Sequence, residues 1–560
     1  MKTIYYKYLF IILCCCVIVA CASLQNHSIK LQIITATFAK NKPLTEEEKI
    51  HWQHKDIIED TIPGISLDKC YRELLSEKKG DTIIVAVLDT GLDIYHEEFE
   101  KIIWKNDKEL VNGIDDDNNG YIDDISGWNF LGNKKGENVE FTNYECLRIV
   151  KAYDSIFNNK TKKEIVPKDT LMFKQYIKAL EQYNSKLKNA KEAFDTYNII
   201  VSGYQEAVEV LKPYIPDEKF TLDKLNSIST KDERVQGFVK EMKTLVENNI
   251  TYENLLYKKK WATVRYKNHL GVGGYNESDI IGDNPKDIND KHYGNNKVYG
   301  NEDTRYHSTQ VTGVLAADRS NDKGIKGVTN VVKIMPVRLA SLGSERDKDI
   351  ALSIRYAVDN GAKIINMSFS NEFSLRRKWV DDAIKYAANN DVLIITTAGN
   401  NRSNIDVVHN NYPNDQIENG QNFVDNFIVV GASWYKLDEN LAGFFSSYGK
   451  ENVDIFAPGQ EICTSTTGNK YKYTRGTSVA TPLVSGIAAL IRSYYPNLTA
   501  SEVKQIIMES GVSYDIMVNK PSTSKEKELV PFSSLSKSGK IVNAYNALLL
   551  AEEVSKKKKK

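Results

Sequence analysis

Short apolar runs alternate with longer amphipathic stretches through much of the second half of the chain. Residues 334–339, 363–368 and 392–395 are apolar runs too short for a helix, and each is typical of a buried strand. Between and beside them, residues 349–361 and 379–389 repeat apolar side chains at helical spacing. Strands and helices that alternate in this way predict a doubly wound, mostly parallel α/β sheet.

A different pattern fills residues 133–295. From Phe173 to Leu211, apolar residues recur at alternate steps of three and four, a heptad seam that stops before Pro213. A second helical run follows near residues 235–246. We therefore predict an antiparallel helical hairpin, resembling a coiled coil, that interrupts the α/β pattern. Its tyrosines either bind a protein partner or pack against the returning helix, and packing is the simpler interpretation.

Four polar side chains stand where apolar elements begin or end. Asp89 ends the apolar run 85–88, and Asn400 follows the run that ends near residue 397. His307 opens an apolar helix over residues 306–317. Ser478 lies in a Gly-Thr-Ser turn before another apolar helix, where the amides and the helix dipole favour an anion. Taken alone, Ser478 is either a nucleophile or an ordinary helix cap.

Together the four side chains form a complete set for acyl transfer. Asp89 would orient and stabilise an imidazolium, His307 would take and return the proton, Ser478 would attack, and Asn400 would donate to the oxyanion. In this chain order and with these flanks, they resemble the subtilisin-like (S8 family) serine endopeptidases. Supporting stretches are residues 366–369 (Asn-Met-Ser-Phe), 445–449 (Phe-Ser-Ser-Tyr-Gly) and 453–459 (Val-Asp-Ile-Phe-Ala-Pro-Gly).

The resemblance divides the chain and implies a function. It covers residues 63–132 and 296–552 as two parts of a subtilase domain, with the helical segment 133–295 inserted between them. It implies hydrolysis of polypeptide substrates without a catalytic cofactor. It also implies a cleft that is framed by residues 342–345 and 369–373 and binds an extended peptide by strand addition.

Two departures from the family pattern bear on activity. Ser308 stands where the family usually has a glycine after the catalytic histidine, and Val479 replaces the usual methionine after the serine. A required positive φ at position 308 would disfavour serine. One alternative is therefore an inert subtilase-fold surface lipoprotein that binds a partner through its helical hairpin. Another treats residues 89–91 as an aspartic-protease motif, which needs a second copy that is missing in a matching context.

The N-terminus predicts export. Residues 1–20 are typical of an export signal, in which Lys2 and Lys7 precede an apolar run over residues 8–20 that is too short to span a bilayer comfortably. Because Cys21 follows Ile-Val-Ala, the segment resembles a bacterial lipoprotein signal, and we expect lipidation of Cys21 and anchoring to a membrane of the cell envelope. The alternative is an ordinary secretory signal. Residues 21–62 are expected to form an arm, and the lysine-rich tail 553–560 is expected to be disordered.

An acidic stretch predicts a bound cation. Asp115, Asp117 and Asn119 at alternate positions, a glycine, and then Asp123 copy the first nine places of a calcium loop. The twelfth place is Ser126 instead of glutamate, so an EF-hand is not predicted. We expect a structural calcium ion, because neighbouring carboxylates would otherwise repel one another. The alternative is a solvated acidic turn.

Composition argues against nucleic-acid binding, a disulfide framework and a zinc site. The chain of 560 residues has a formal net charge of zero, which leaves no basic excess for nucleic acid. After the signal and Cys21, only Cys70, Cys146 and Cys463 remain, too few for a disulfide framework. No Cys-x-x-Cys or His-Glu-x-x-His pattern supports zinc. His269 and His292 are expected at the surface.

Overall fold

The computed structural model describes residues 34–40, 42–408, 411–417 and 420–559. The described strands are β1 (Ile83–Asp89), β2 (Trp128–Asn129), β3 (Val332–Arg338), β4 (Ile364–Met367), β5 (Leu393–Thr397), β6 (Phe427–Ser433), β7 (Ile455–Pro458), β8 (Ile462–Thr466), β9 (Lys470–Thr474), β10 (Val512–Ser513), β11 (Met517–Asn519), β12 (Leu529–Pro531) and β13 (Lys540–Ile541). Nine of them form one sheet in the order β10-β13-β7-β6-β5-β4-β1-β3-β2. All its pairings are parallel except β10 with β13. The predicted mostly parallel α/β sheet is confirmed.

The described residues contain fifteen α-helices, several of which cover the two faces of this sheet. In chain order they are α1 (Glu46–His51), α2 (Leu67–Cys70), α3 (Glu145–Phe157), α4 (Thr170–Leu211), α5 (Leu222–Asn226), α6 (Glu233–Glu247), α7 (Tyr252–Thr263), α8 (Ser278–Ile281), α9 (Glu302–Ala316), α10 (Asp347–Asp359), α11 (Arg377–Asn389), α12 (Ile405–Val408), α13 (Thr477–Tyr494), α14 (Ala500–Ser510) and α15 (Ala544–Lys558). Helices α9, α13, α14 and α15 share one core, and α10 and α11 share the other.

Strand β1 shows why its sequence is apolar at nearly every position. Val85 and Val87 pack into the core of α9 and α13, whereas Ala86 and Leu88 pack into the core of α10 and α11. Successive side chains of a strand point to opposite faces, so a strand covered on both faces needs a continuous apolar run. Asp89 is the polar end of this run, at the C-terminal edge of the sheet.

Helix α4 is 42 residues long and ends at Leu211, before Pro213 as predicted. Helix α3 packs against its first half, and α6 and α7 pack against its second half, so two helices form the return path. Tyr204 stacks on Tyr252 with ring centroids 4.7 Å apart, and Phe194 stacks on Tyr266 at 5.0 Å. At these positions the aromatic residues of α4 pack against the returning chain. The proposed boundaries of the inserted segment remain a prediction.

Three local expectations differ from the structure. His307 lies inside α9, because Asn301 caps the helix earlier by accepting from the backbone N of Thr304 at 3.1 Å. His269 is buried, with Nδ1 2.7 Å from the carbonyl oxygen of Thr142, because the rings of Phe141 and Tyr144 pack against it. The lysine-rich tail is helical through Lys558, since i,i+4 ion pairs join lysines 556 and 557 to glutamates 552 and 553.

The N-terminal predictions are only partly covered by the structure. The signal segment and Cys21 lie outside the described residues. Trp52 of the arm is fully buried, and its Nε1 donates to the carbonyl oxygen of Glu461 at 3.0 Å, so this part of the arm packs on the α/β body. Within the described ranges, no helix combines the length and apolar character that a membrane crossing requires.

Candidate active site

The order of the strands brings the predicted site residues together. Strands β5, β4, β1 and β3 are neighbours and parallel, so the segments that follow them share one edge of the sheet. Asp89 ends β1, and Asn400 follows β5. Helices α9 and α13 pack against each other and bring His307 and Ser478 to the same edge. All four side chains line one cavity of about 410 Å³.

Asp89 and His307 are directly paired. Oδ1 of Asp89 accepts from Nδ1 of His307 at 2.7 Å and from the backbone N of Thr90, also at 2.7 Å. Asp89 is buried and His307 is half-buried. Burial of the imidazole opposes its charged form, but the Asp89 carboxylate outweighs this effect, and the pKa of His307 is raised above its ordinary value. This pairing leaves Nε2 of His307 for proton transfer.

The orientation of the Asn400 amide is fixed by the start of α13. Its Oδ1 accepts from the backbone N of Thr477 at 2.9 Å and from Oγ1 of Thr477 at 3.0 Å. Its Nδ2 is therefore left to donate elsewhere. A Cβ placed on Gly476 would lie 3.6 Å from Nδ2 of Asn400 and 3.8 Å from Oγ of Ser478. The amide donor and the hydroxyl thus border one small space, which a glycine at φ +150° keeps open.

Ser478 is the second residue of α13 and is half-buried. Within the described part of the chain, its Oγ has no hydrogen-bond partner, so it forms no hydrogen bond with His307 in this conformation. Hydrogen bonds between nucleophile and base are often long until substrate binds. Ser478 and His307 nevertheless line the same cavity. The position of Ser478 at a helix N-terminus suits a group that develops negative charge nearby.

The sequence around this site matches a known protein family. A family model described as the subtilase family (Peptidase_S8) matches residues 80–530. The chain belongs to the subtilase family. This subtilase is 36% identical over 214 residues to the "Thermophilic serine proteinase" of Bacillus sp. (strain AK1), a match that covers 38% of this chain and 48% of that protein. The match therefore spans about half the length of that relative.

Two further similarities were found. "Subtilisin DY" of Bacillus licheniformis is 34% identical over 217 residues, which cover 38% of this subtilase and 73% of that protein. Among solved structures, a protease from Pseudoalteromonas arctica PAMC 21717 matches with 27% identity and a TM-score of 0.34. That match covers 44% of this subtilase and 70% of the other chain.

The serine after His307 is compatible with the fold of this subtilase. Ser308 lies within α9, in ordinary helical backbone, and its backbone N donates to Oγ1 of Thr90 at 3.2 Å. No positive φ is needed there, so the added Cβ brings no backbone strain. Thr90 is a residue that the sequence motifs did not single out. It joins the segment after Asp89 to the helix that carries His307.

The two rims expected to frame the cleft, residues 342–345 and 369–373, both line the cavity. A third wall comes from α3 and α4, through side chains that include Gln182 and Lys186. Gln182 donates to the Glu372 carboxylate, and Gln175 donates to the carbonyl oxygen of Ser374 at 3.0 Å. The sequence pattern missed this wall, because a heptad seam does not show what the outer side of a helix contacts.

Arg148 of α3 holds the rim at residues 344 and 345. It donates to the carbonyl oxygens of Ser344 at 3.0 Å and Glu345 at 3.4 Å, and to the carboxylates of Glu145 and Glu277. Together with Nε, which also donates to Glu277, these bonds use all five of its N–H donors. The rim is therefore fixed from the outside by the helical segment.

The acidic loop brings together a set of carboxylates that differs from the motif. Oxygens of Glu109, Asp115 and Asp117 all lie within 4.8 Å of one another. The Asp123 carboxylate instead accepts from the backbone N of Asn112 at 3.0 Å and from that of residue 113 at 2.9 Å. Oxygen ligands at this spacing suit a hard cation such as calcium. Spacing within the motif did not point to Glu109, which lies before it.

Asn119 stabilises the turn through several hydrogen bonds. Its backbone N donates to Oδ1 of Asp115 at 3.0 Å and to Oδ1 of Asp117 at 3.1 Å. Its side-chain Oδ1 accepts from the backbone N of Tyr121 at 2.8 Å, and its Nδ2 donates to Asp124 at 3.2 Å. The side-chain amide is thus held by protein groups, which leaves the carboxylates of Asp115 and Asp117 as the better candidate ligands.

Proposed function

We propose that this subtilase is a serine endopeptidase that hydrolyses peptide bonds through an acyl-enzyme. The observation that carries the proposal is the 2.7 Å bond between Asp89 and His307 at a cavity that Ser478 and Asn400 also line. Asp89 pairs with an imidazole and not with a second carboxylate, which speaks against the aspartic-protease interpretation. Relatives whose printed names describe them as a serine proteinase and a subtilisin support the same chemistry.

The reaction has two halves, acylation and hydrolysis of the acyl-enzyme, and the same residues act in both. Oγ of Ser478 attacks the peptide carbonyl while Nε2 of His307 takes its proton, and the carbonyl oxygen becomes an oxyanion. Nδ2 of Asn400 and the backbone N–H of Ser478, which border the same space, donate to that oxyanion. His307 then gives the proton to the leaving amine, and the acyl-enzyme forms. Water then attacks the acyl-enzyme in the same way, with His307 taking its proton and returning it to Oγ of Ser478. This step releases the carboxylic acid and regenerates Ser478.

The proposed substrate is an extended polypeptide. Residues 342–345 and 369–373 line the cavity on two sides, and a peptide between them would approach Ser478. Catalysis in this scheme needs no metal or organic cofactor. The neutral net charge supports the expectation that nucleic acid is not a partner.

We also propose that the protein is exported and held on a cell-envelope membrane by lipid on Cys21. The apolar signal followed by cysteine supports the lipid anchor. Export alone is supported by the printed name of a relative, the "Cell wall-associated protease" of Bacillus subtilis (strain 168), 32% identical over 210 residues. Acyl chains on the mature N-terminal peptide, seen by mass spectrometry, and release of the Cys21→Ser protein from membranes would support the anchor. A mature N-terminus without lipid would exclude it.

Calcium at Glu109, Asp115 and Asp117 is proposed as a structural ion. The three carboxylates have no cation among the side chains bonded to them in the described chain, so a divalent ion would relieve their repulsion. In this role calcium would hold the loop before β2 and take no part in the reaction.

Replacing the nucleophile tests the proposed activity. Ser478→Ala should lower peptide hydrolysis by several orders of magnitude, on the order of 10⁶-fold. Ser202→Ala, at an exposed position of α4, is the matched control and should keep full activity. If the protein is instead an inert lipoprotein that binds a partner through its helical segment, the wild type will not hydrolyse peptides and binding will not depend on Ser478.

A further inference from the structure

One buried carboxyl group in the cavity is not used by the proposed mechanism. Glu345 lies on the rim that α3 fixes, its residue is only 9% exposed, and it lines the same cavity as His307 and Ser478. Within the described residues, its carboxyl group forms no hydrogen bond and no ion pair with another residue; the bonds that other side chains make to Glu345 are to its backbone carbonyl oxygen. A buried charge without a partner is unfavourable.

The cations of the protein near this carboxyl group are committed elsewhere. Arg148 uses all five N–H donors on Glu145, Glu277 and two rim carbonyls. Lys186, which also lines the cavity, has its Nζ 5.0 Å from the centre of the Tyr144 ring and forms no ion pair with Glu345. Glu345 therefore lines the cavity without an ion-pair partner among the described residues.

The electrostatics agree with this geometry. Burial is the largest effect on the pKa of Glu345 and raises it, as does the Asp89 carboxylate, while the backbone amide of Glu345 itself, Arg148 and His307 lower it. Together these effects raise the pKa to about 7. Glu345 is thus close enough to Asp89 and His307 to interact with both. A group bound to Glu345 would lie in the cavity that the catalytic pair also lines, and a bound cation would favour the ionised carboxylate.

We propose that Glu345 binds a positively charged side chain of the substrate next to the scissile bond, so that this subtilase prefers peptides with Lys or Arg at that position. The inference rests on the proposed peptidase activity and names its substrate class. The carboxylate supplies both the charge and the acceptor atoms that an ammonium or guanidinium needs. A substrate cation would replace the partner that the protein itself does not provide.

The test is a set of matched peptides with Lys, Arg, Gln or Glu at each position flanking the scissile bond, assayed at about pH 8, where Glu345 is ionised. At one position, wild type should cleave the Lys and Arg peptides roughly ten- to a hundredfold more efficiently in kcat/KM than the Gln peptide. Glu345→Gln, which keeps the shape of the side chain, should remove this preference. Glu345→Lys should favour the Glu peptide instead.

Glu247→Gln is the matched control. Glu247 is exposed at the end of α6 and does not line the cavity, so this variant should keep the preference for Lys and Arg. Reaction of the Glu345→Gln protein with a fluorophosphonate probe at the wild-type rate shows that its site is intact. Cleavage by wild type without any charge preference, or a preference that survives in Glu345→Gln, overturns the inference alone. A wild type that cleaves no peptide and does not react with the probe overturns the proposed function as well.

Discussion

Oδ1 of Asp89 lies 2.7 Å from Nδ1 of His307, although the two residues are 218 positions apart in the chain. The helical segment lies between them in the sequence and yet does not separate them. Strand β1 ends at Asp89 within the sheet, and Thr90 bonds to the backbone of Ser308 in α9. The two halves of the α/β domain therefore meet at this pair, while α3 and α4 form a wall of the same cavity.

The pairing predicts a defined pH dependence. His307 acts as a base only when neutral, and the Asp89 carboxylate raises its pKa, so kcat/KM should fall on the acidic side with an apparent pKa above 6.5. In Asp89→Asn the anion is lost, the imidazolium is less stable, and the acidic limb should move to lower pH. The rate itself should fall on the order of 10⁴-fold.

Steady-state kinetics across pH measure both effects. The exposed Asp107→Asn is the control and should keep the wild-type profile. An acidic limb that does not move in Asp89→Asn would show that the carboxylate does not set the titration of the base.

The raised pKa also means that protonated His307 stabilises the fold below about pH 6.5 and that this contribution is lost as pH rises through its folded pKa.

Asn400 should contribute to the rate and not to substrate affinity. Its Nδ2 is free to donate because Oδ1 is held by Thr477. Asn400→Ala should lower kcat by about 10²- to 10³-fold with little change in KM, since the oxyanion exists only in the transition state and intermediate. Asn440→Ala is the control and should keep the wild-type kcat, because the side chain of Asn440 bonds to Asp438 in a turn. A variant in which KM rises and kcat is unchanged would assign Asn400 to substrate binding instead.

Thr477 should act by positioning the Asn400 amide. Thr477→Val removes the 3.0 Å bond from Oγ1 but keeps the 2.9 Å bond from the backbone N. We expect kcat to fall roughly two- to tenfold, in line with one neutral hydrogen bond. Thr477→Ser keeps the hydroxyl and should restore most of the rate, whereas equal losses in both variants would exclude this role.

Calcium should stabilise the protein through the acidic loop. A ligand that binds only the folded state at about 100 times its Kd adds about 2.7 kcal/mol to the free energy of unfolding. Calcium should therefore raise Tm, and chelator should lower it. Glu109→Gln and Asp115→Asn should each weaken the calcium effect, whereas Asp107→Asn should not. A calcium-dependent Tm that is unchanged in both loop variants would place the ion elsewhere.

The parts of the fold that were predictable have strong local signals. The run that ends in Asp89 needs burial on both faces, and the turn before Ser478 precedes a helix that is apolar over most of its length. Because parallel strands end at the same edge of the sheet, these patterns also predict that the polar residues that follow the strands lie at that edge. The heptad seam of α4 likewise predicted a long helix and its end before Pro213.

What the sequence did not reveal depends on contacts between distant segments. Arg148 has the pattern of an ordinary polar residue of a helix, and only the fold brings it to the carbonyls of the rim. Glu109 lies outside the acidic motif but folds back onto it. His269 lies in a region rich in polar residues, and its burial depends on the neighbouring segment that covers it. Each of these residues gains its environment from tertiary structure and not from its neighbours in the sequence.

Labelling with a fluorophosphonate serine probe tests the central claim most directly. The probe should modify the wild-type protein, and mass spectrometry should locate the adduct on Ser478. Ser478→Ala should not be labelled, Ser202→Ala should be labelled as wild type is, and His307→Ala should react far more slowly because the base is missing. A wild-type protein that is not labelled, or equal labelling of Ser478→Ala, would contradict the assignment of Asp89, His307 and Ser478 as a working triad.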